Sequence, residues 1–339
     1  MPDAEELFSD GTIQVVEEMS DDPRNVSSMG HGAQRSIQMA LVHHLAERSS
    51  TETDADTCKL VFVDEPELYL HPQAVETVRK SLKDLSESNY QVVFATHSPL
   101  MIGEDDIPYT NVVRKSSNEG TKIRKRVAEA VEEVIEDNDS QRKTLFNMQN
   151  GGQILFSDKV LLMEGKTERR LIPQIYEEVT GNTLREERIA LVGVDGSGSI
   201  PKCYDILDTM GMNVRALVDL DFVFLHAIRN DLLENEDTHI QSCRAKHTDE
   251  DNDLHSAAGA AHLAENGEAE TEIQHLHEKM KDQDYWVWPT GAIEQHLGID
   301  EKEESAWAEF NEQLKENDFE EVVEDPEGVR KLVEWLDDM

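Results

Sequence analysis

The chain has 339 residues, with 72 Asp and Glu against 32 Lys and Arg, a formal net charge of −40 at pH 7. That length leaves room for two domains, and 38% hydrophobic residues suffice for ordinary cores, so wholesale disorder is excluded despite the charge. No apolar run reaches the length of a membrane-spanning helix, and the acidic start Met1-Pro2-Asp3-Ala4-Glu5-Glu6 lacks the apolar stretch of a secretory signal.

In chain order, Gln34 to Arg48 reads as a helix with Ile37, Leu41, Val42 and Leu45 on one face. After a polar loop, Lys59-Leu60-Val61-Phe62-Val63 is a continuous apolar run of the kind that a buried parallel strand carries. Gln73 to Ser86 returns to a helical period, and Gln91-Val92-Val93-Phe94-Ala95 is a second buried strand. From 103 to 157 the chain is polar, with a helix expected at 126–136 and a break at Gly151-Gly152, where the domain boundary is placed. A second series follows: strand Lys159 to Met163, helix from 167 to about 179, strand Ile189 to Val194, helix near 200–210, strand Val214 to Val218. Strands alternating with helices predict an α/β fold with parallel sheets and right-handed crossovers. Residues 229–284 lack a strand pattern and read as a helical or loose insertion; Tyr285-Trp286-Val287-Trp288 resumes the sheet, and 301–339 is acidic and mostly helical.

The first series carries three motifs. Asp64-Glu65 ends an apolar strand, where an Asp can hold Mg²⁺ and the next Glu can polarise a water. His97 lies one strand later at the matching edge. Upstream, Ser28-Met29-Gly30-His31-Gly32-Ala33-Gln34-Arg35 is a glycine-rich turn opening a helix, suited to anions. This order resembles the second half of an ABC-type ATPase head of DNA-repair and nuclease ATPases. The resemblance makes Gly30, Gly32 and Gln34 part of the signature motif, Asp64 and Glu65 the Walker B pair, Glu67 to Pro72 the D-loop and His97 the switch histidine. The phosphate loop GxxxxGK[ST] is missing: Gly165-Lys166-Thr167 has Val160 at the earlier glycine position. The expectation is therefore an N-terminal remnant at 1–27 and the C-terminal half of a head at 28–150, using ATP only with a partner chain that supplies the phosphate loop.

The second series places acids at strand ends. Glu164 ends the first strand and Glu168 lies in the first turn of the next helix; Asp195-Gly196-Ser197-Gly198-Ser199 ends the second, and Asp219-Leu220-Asp221 the third. Residues two apart in an extended segment face the same side, so Asp219 and Asp221 can share a pocket with Glu164. Such carboxylates repel one another unless divalent cations compensate, and oxygen-only ligand sets suit Mg²⁺ or Mn²⁺.

Glu-Gly-x-x-Glu, a glycine turn and Asp-x-Asp resemble a Toprim domain, here at 158–339 with its insertion at about 229–284. An ABC head running into a Toprim domain resembles the OLD (overcoming lysogenization defect) nucleases. The resemblance implies a two-metal DNA endonuclease or nickase with Glu164, Glu168, Asp219 and Asp221 as ligands, and Glu294 as a fifth from the segment Trp288 to Glu294. Ser197 or Ser199 would touch metal or phosphate, and a late lysine near the scissile phosphate would be Lys331 or Lys315. It also implies DNA as partner, a homo-oligomer or a chain with the missing ATPase half, and a cytoplasmic setting.

Other readings compete. A head and Toprim pair that only binds would hold divalent ions weakly. A topoisomerase needs a nucleophilic tyrosine in a further domain, and all six tyrosines fall in elements already assigned. His239, Cys243 and His247 recur at helical spacing, with Asp249 or His255 as a fourth zinc ligand, but the segment is polar and weakly patterned. Arg124-Lys125-Arg126 and Arg169-Arg170 are the nearest basic patches, and the three cysteines, far apart, fit a reducing compartment. The charge argues against nucleic acid as partner only where no metal reverses the local sign. Its spread over both series points to salt adaptation, since screening shortens the reach of charge to about 3 Å at 1 M. Activity measured in molar KCl is expected to persist, and its collapse there would remove the salt explanation.

Overall fold

The computed structural model describes residues 14–17, 20–49, 59–87, 90–116, 120–136, 151–194, 196–249 and 251–339. It divides into two compact units, Met1–Gly103 and Glu104–Met339. None of its described helices is long and apolar enough to cross a membrane.

In the first unit, β1 (Gln14–Glu17) and β2 (Ser20–Asn25) form an antiparallel pair. Helix α1 (His31–Ser49) follows, then β3 (Lys59–Asp64), α2 (Pro72–Ser86) and β4 (Tyr90–Ala95). Strands β3 and β4 pair in parallel from Lys59↔Tyr90 to Asp64↔Ala95, as a right-handed βαβ unit requires. Helix α2 starts cleanly, with the His71 side chain accepting from the Gln73 N–H and Pro72 at the first helical position. Its Val75, Val78, Leu82 and Leu85 recur at helical spacing and are buried. Three of them, with Met39 and Met101, form a core against Val63, Val92 and Phe94. The opposite sheet face is open: Phe62 is 73% exposed and Leu60 58%. The apolar run predicts strands buried on both faces, and among the described residues only one face is covered.

The second unit begins with a short hairpin that the sequence pattern missed, β5 (Val113–Ser116) with β6 (Gly120–Ile123). Helices α3 (Val127–Val134) and α4 (Gly151–Phe156) lead into β7 (Lys159–Met163), α5 (Lys166–Thr180), β8 (Ile189–Gly193), α6 (Ile200–Thr209) and β9 (Asn213–Val218). Three helices then form the insertion, α7 (Thr238–Lys246), α8 (Ala257–Glu265) and α9 (Glu270–Lys281). Strand β10 (Tyr285–Val287) returns to the sheet, followed by α10 (Ile293–Leu297), α11 (Glu304–Glu316), α12 (Phe319–Val322) and α13 (Pro326–Asp337). The sheet order is β10-β9-β7-β8, with every pairing parallel. Leu161 and Met163 of β7 face Leu171, Ile172, Ile175 and Tyr176 of α5, and the tail helices complete that core through Phe310, Leu332, Val333 and Leu336.

The division falls at Gly103, whereas the composition shift lies near residue 150. The segment between them packs with the second unit. Val127, Ala130 and Val131 of α3 are buried where it meets α6. Arg114 donates to the Leu155 and Ser157 carbonyls and pairs with Asp158 at 3.0 Å, tying the hairpin to the entry of β7. Leu161→Ala, at a fully buried position of that strand, should cost about 2–5 kcal/mol in urea unfolding followed by circular dichroism. A cost below about 1 kcal/mol would contradict the packing.

Candidate metal centre

Parallel strands deliver their carboxyl ends to one sheet edge, and three of those ends carry acids. After β7, Glu164 is exposed, Gly165 starts α5 and Glu168 in its first turn is 4% exposed. Gly165 is needed by close approach: a Cβ there would lie 1.8 Å from Glu168 Oε2. After β9 come Asp219 and Asp221, and the Leu220 N–H between them donates to the Gly291 carbonyl at 2.8 Å. After β10, the turn Trp288 to Gly291 leads to α10, where Glu294 is 5% exposed. Thr167 Oγ1 donates to Glu294 Oε1 at 2.6 Å, which joins the β7 and β10 ends. Lys302 Nζ lies 3.1 Å from Glu294 Oε2.

These groups share one field. Burial raises the Glu168 carboxyl to about 7, with the charges of Glu294 and Glu164 adding to it. Burial also holds Asp219 well above the ordinary carboxylate range, followed by repulsion from Glu168 and then from Asp221 and Glu294. Asp221 is raised by burial and by Glu164. Lys302 is the cation that opposes the shift at Glu168, Asp219 and Asp221. Burial works against its own charge, yet Glu294 and Asp219 leave its pKa raised.

Glu168 Oε2 and Asp219 Oδ1 are buried oxygens with no hydrogen-bond partner. Leaving such groups unsatisfied costs about 1–3 kcal/mol each, more when charged. Oxygen donors that repel one another and lack protons to accept are the donor set of a hard divalent cation. Among the described residues no three acid, His or Cys side chains are gathered closely enough to hold an ion as they stand. The fit is thus one of donor chemistry.

The structure places Lys302, and not Lys331, among these acids. Lys331 pairs with Glu327 at 2.7 Å on the exposed face of α13, its further charged neighbours being Asp325 and Glu278. Lys302 lies in the loop before α11, where no periodicity marks it. Thr167, part of the Gly-Lys-Thr triplet that imitates a phosphate loop, is instead a buried partner of Glu294. His226 packs against Gly198 of the glycine turn within a π-helical turn, Val223–Ala227, a geometry frequent at functional sites. Asp195 lies outside the described residues. Ser197–Ser199 is a single 3-10 turn.

The zinc reading of the insertion does not hold. His239 stacks on His275 with ring centroids 4.5 Å apart, and His247 Nε2 contacts the Asn252 carbonyl at 2.8 Å. Cys243 is buried, and burial, with Glu272 beside it, pushes its thiol up to about 12. Of the basic patches, Arg170 pairs with Glu304 at 2.9 Å, and Lys125 and Arg126 pair with Glu133 and Glu129. Cys203 and Cys243 are free and buried, and Cys58 lies outside the described residues.

In the first unit several of the motif residues lie close together. The Glu65 N–H donates to the Ala95 carbonyl at 2.9 Å, and His97 Nε2 lies 3.5 Å from Glu65 Oε1. Arg35 donates to the Asp64 and Glu65 carbonyls at 2.6 and 2.9 Å, fixing the turn in which Glu65 holds φ +42°. Gly32 abuts the Tyr69 carbonyl, which a Cβ would approach to 2.8 Å, so the glycine-rich turn touches the segment after Asp64-Glu65. Gln34 Nε2 donates to the Met29 carbonyl at 2.7 Å, and Gly30 stands open.

Residues 155–221 match the Toprim domain of proteins like the overcoming lysogenization defect protein. Residues 4–102 match an AAA ATPase domain. The second match corrects one expectation: it begins at residue 4, so the segment before the glycine turn belongs to an N-terminal ATPase domain, and neither a remnant at 1–27 nor a partial C-terminal head describes it. The chain is 34% identical to the Old nuclease of Escherichia phage P2 over 99% of its own length and 60% of that protein's. It is 26% identical to the OLD nuclease of Thermus scotoductus over 49% of this chain and 30% of the relative. It is also 26% identical to the endonuclease GajA of Bacillus cereus, over 44% and 24%. The chain thus spans about three-fifths of the phage P2 relative and less of the others. Toprim and ATPase domains generally use divalent metal and ATP, which agrees with the oxygen donors at this edge.

The raised carboxyl of Glu168 has a stability consequence. Its folded value of about 7 lies above the ordinary 4.5, so its contribution is complete below pH 4.5 and is lost as pH rises through 7. In EDTA, thermal unfolding should show wild type losing at most about 3 kcal/mol relative to Glu168→Gln across that window. Mn²⁺ should reverse the difference, because its binding displaces the Glu168 proton and is lost with the ligand; parallel pH curves in EDTA would refute the buried charge.

Proposed function

We propose that the chain is a metal-dependent DNA endonuclease that hydrolyses phosphodiester bonds at the acidic sheet edge of its second unit. The observation that carries this is the pair of buried, partnerless oxygens on Glu168 and Asp219, held in one field with Glu164, Asp221 and Glu294. The nuclease names of the three relatives support it.

In this reading Glu164, Glu168, Asp219, Asp221 and Glu294 hold Mg²⁺ or Mn²⁺, in a two-ion site. Bound there, such ions activate water and stabilise the leaving oxygen of a phosphodiester. The chain's own residues prepare the site. Thr167 orients Glu294 through its hydroxyl, and Gly165 lets the Glu168 carboxylate lie against the backbone. Lys302 supplies a fixed positive charge beside the acids, where it can meet a phosphate oxygen whose charge grows in the transition state. The DNA backbone approaches an edge whose sign the ions reverse.

The first unit is the regulatory ATPase head, using ATP only together with a chain that supplies the missing phosphate loop. Asp64 holds the nucleotide's Mg²⁺ and Glu65 polarises water. His97, 3.5 Å from Glu65, reads the presence of the terminal phosphate. The chain works as a homo-oligomer in the cytoplasm.

Supercoiled plasmid with Mn²⁺ tests the reading. Wild type should nick it, Asp219→Ala should fall to background, and Lys302→Ala should lose about 10²–10³ in rate. Lys331→Ala should nick like wild type. Equal nicking by wild type and Asp219→Ala, or none by either across metal and salt titrations, would overturn the proposal.

A further inference from the structure

Two polar side chains beside the acidic edge belong to none of the roles above. His296 is 3% exposed, on the same short helix as Glu294. Its Nδ1 lies 2.7 Å from Asp325 Oδ2, its Nε2 receives the Thr290 N–H at 3.4 Å, and its ring packs on Trp288 with centroids 4.6 Å apart. Asp325 caps α13, its other oxygen accepting the Gly328 N–H at 2.9 Å, and its own N–H donates to the His296 carbonyl at 2.9 Å.

These bonds dictate the protonation pattern of the ring. A backbone N–H can only donate, so Nε2 must be the acceptor toward Thr290 and carry no proton. The proton then sits on Nδ1 and is donated to the Asp325 carboxylate. The ring is thus a strut of fixed polarity between the α13 cap and the turn Trp288 to Gly291.

That turn is bonded to the acids on both sides. The Gly291 carbonyl accepts the Leu220 N–H at 2.8 Å, and Leu220 stands between Asp219 and Asp221. The turn then enters α10, whose first residues include Glu294. Asp325, His296, Thr290, Gly291 and Leu220 therefore form a continuous hydrogen-bonded line. It ends on the backbone of one acid pair and holds the start of the helix that carries the fifth acid.

We infer that His296 and Asp325 are positioning residues, a hydrogen-bonded clamp that sets the distance between the Asp219/Asp221 edge and Glu294. The inference rests on the metal-centre reading above. The acids repel one another when the ions are absent, so something other than their own attraction must hold the strand ends in register. A backbone line anchored in a helix cap does so without adding charge to the site. Groups bonded directly to metal ligands typically change metal affinity 10–100-fold when removed, and this line reaches the ligands through backbone, so the low end of that range is expected.

Two substitutions at one position separate positioning from mere support. His296→Asn keeps a donor near Nδ1 for Asp325 and loses the acceptor for Thr290. His296→Gln reaches the Nε2 position, keeps an acceptor for Thr290 and loses the Asp325 bond. Asp325→Asn is a third test. Its Oδ1 must still accept from Gly328, so its amide faces the ring, drives the imidazole proton to Nε2 and sets it against the Thr290 N–H.

The experiment is Mn²⁺ titration of the full chain by isothermal calorimetry, with thermal unfolding in EDTA alongside. Wild type should bind Mn²⁺, and Asp219→Asn should bind it far more weakly; failure of that comparison sinks the metal-centre reading itself. Given that it holds, His296→Asn and Asp325→Asn should weaken binding about tenfold, while His296→Gln, which keeps the Thr290 bond and loses only the anchor, should fall between them and wild type. All His296 and Asp325 variants should unfold at lower temperature. Unchanged affinity in His296→Asn, or equal weakening in the Asn and Gln variants, overturns the clamp and leaves the pair a support of the fold only. Should His296→Asn not fold, Asp325→Asn decides: unchanged affinity there overturns the clamp.

Discussion

Mutual repulsion among carboxylates at one sheet edge is the constraint on which the second unit depends. Parallel strands bring their carboxyl ends together: acids follow β7 and β9 directly, and the turn after β10 leads to Glu294 on α10. Burial removes the water that would otherwise soften that repulsion, which is why Glu168 and Asp219 are driven toward the protonated form. A fold that gathers such charge without a cation must restrain it by other means. Thr167 on Glu294 and Lys302 beside it are the restraints in direct contact. Both act on the carboxylate contributed from outside β7 and β9, the one with the longest stretch of chain separating it from the others.

The insertion follows from the same constraint. Between β9 and β10 lie three helices that contribute no acid to the centre, and the chain must return to within hydrogen-bond reach of Leu220. Burial of Ile273, Leu276 and Met280 on α9 gives the returning strand a core to lie on, and the His277 ring contacts the Val287 carbonyl at 2.7 Å. Strand β10 is only three residues long, so its position comes from that packing more than from its ladder. Tail helices α11 and α13 then close over Trp286 and Trp288, which fixes the turn leading to Glu294. The parts far from the acids in sequence are thus what make the last acid arrive where it does.

How much of this could be read in the chain itself divides along a physical line. Strands β7 to β10 and the acids at their ends were legible, because a buried parallel strand must be apolar throughout and its end must turn polar at once. Asp64, Glu65 and His97 were legible for the same reason, and their meeting at the β3–β4 edge follows from the parallel register. Lys302 was not. Its position depends on a loop with no periodicity, and a lysine in an acidic tail gives no sign of which way it faces. Lys331 drew attention only by lying late in the chain, where an ordinary i,i+4 pair with Glu327 accounts for it. The hairpin β5–β6 was missed because its strands are four residues each and mostly exposed, so no apolar alternation marks them. The unit boundary was misplaced with it. Composition registers polarity, whereas the packing of α3 on α6 depends on three buried side chains in one short helix.

The net charge of −40 reads differently once the centre is in place. A surface of that sign repels DNA at long range in low salt, and a nuclease would then depend on its ions for catalysis and for approach alike. Five acids at one edge account for little of the excess over 32 basic residues, and the basic patches visible in sequence are spent largely on neighbours such as Glu304, Glu129 and Glu133. Little free positive surface remains among them to offset the repulsion. The chain therefore suits a solvent in which charge reaches only a few ångströms, so that distant acids are silent and only groups in contact matter. In such a solvent the partly buried pairs keep their strength while the exposed field vanishes.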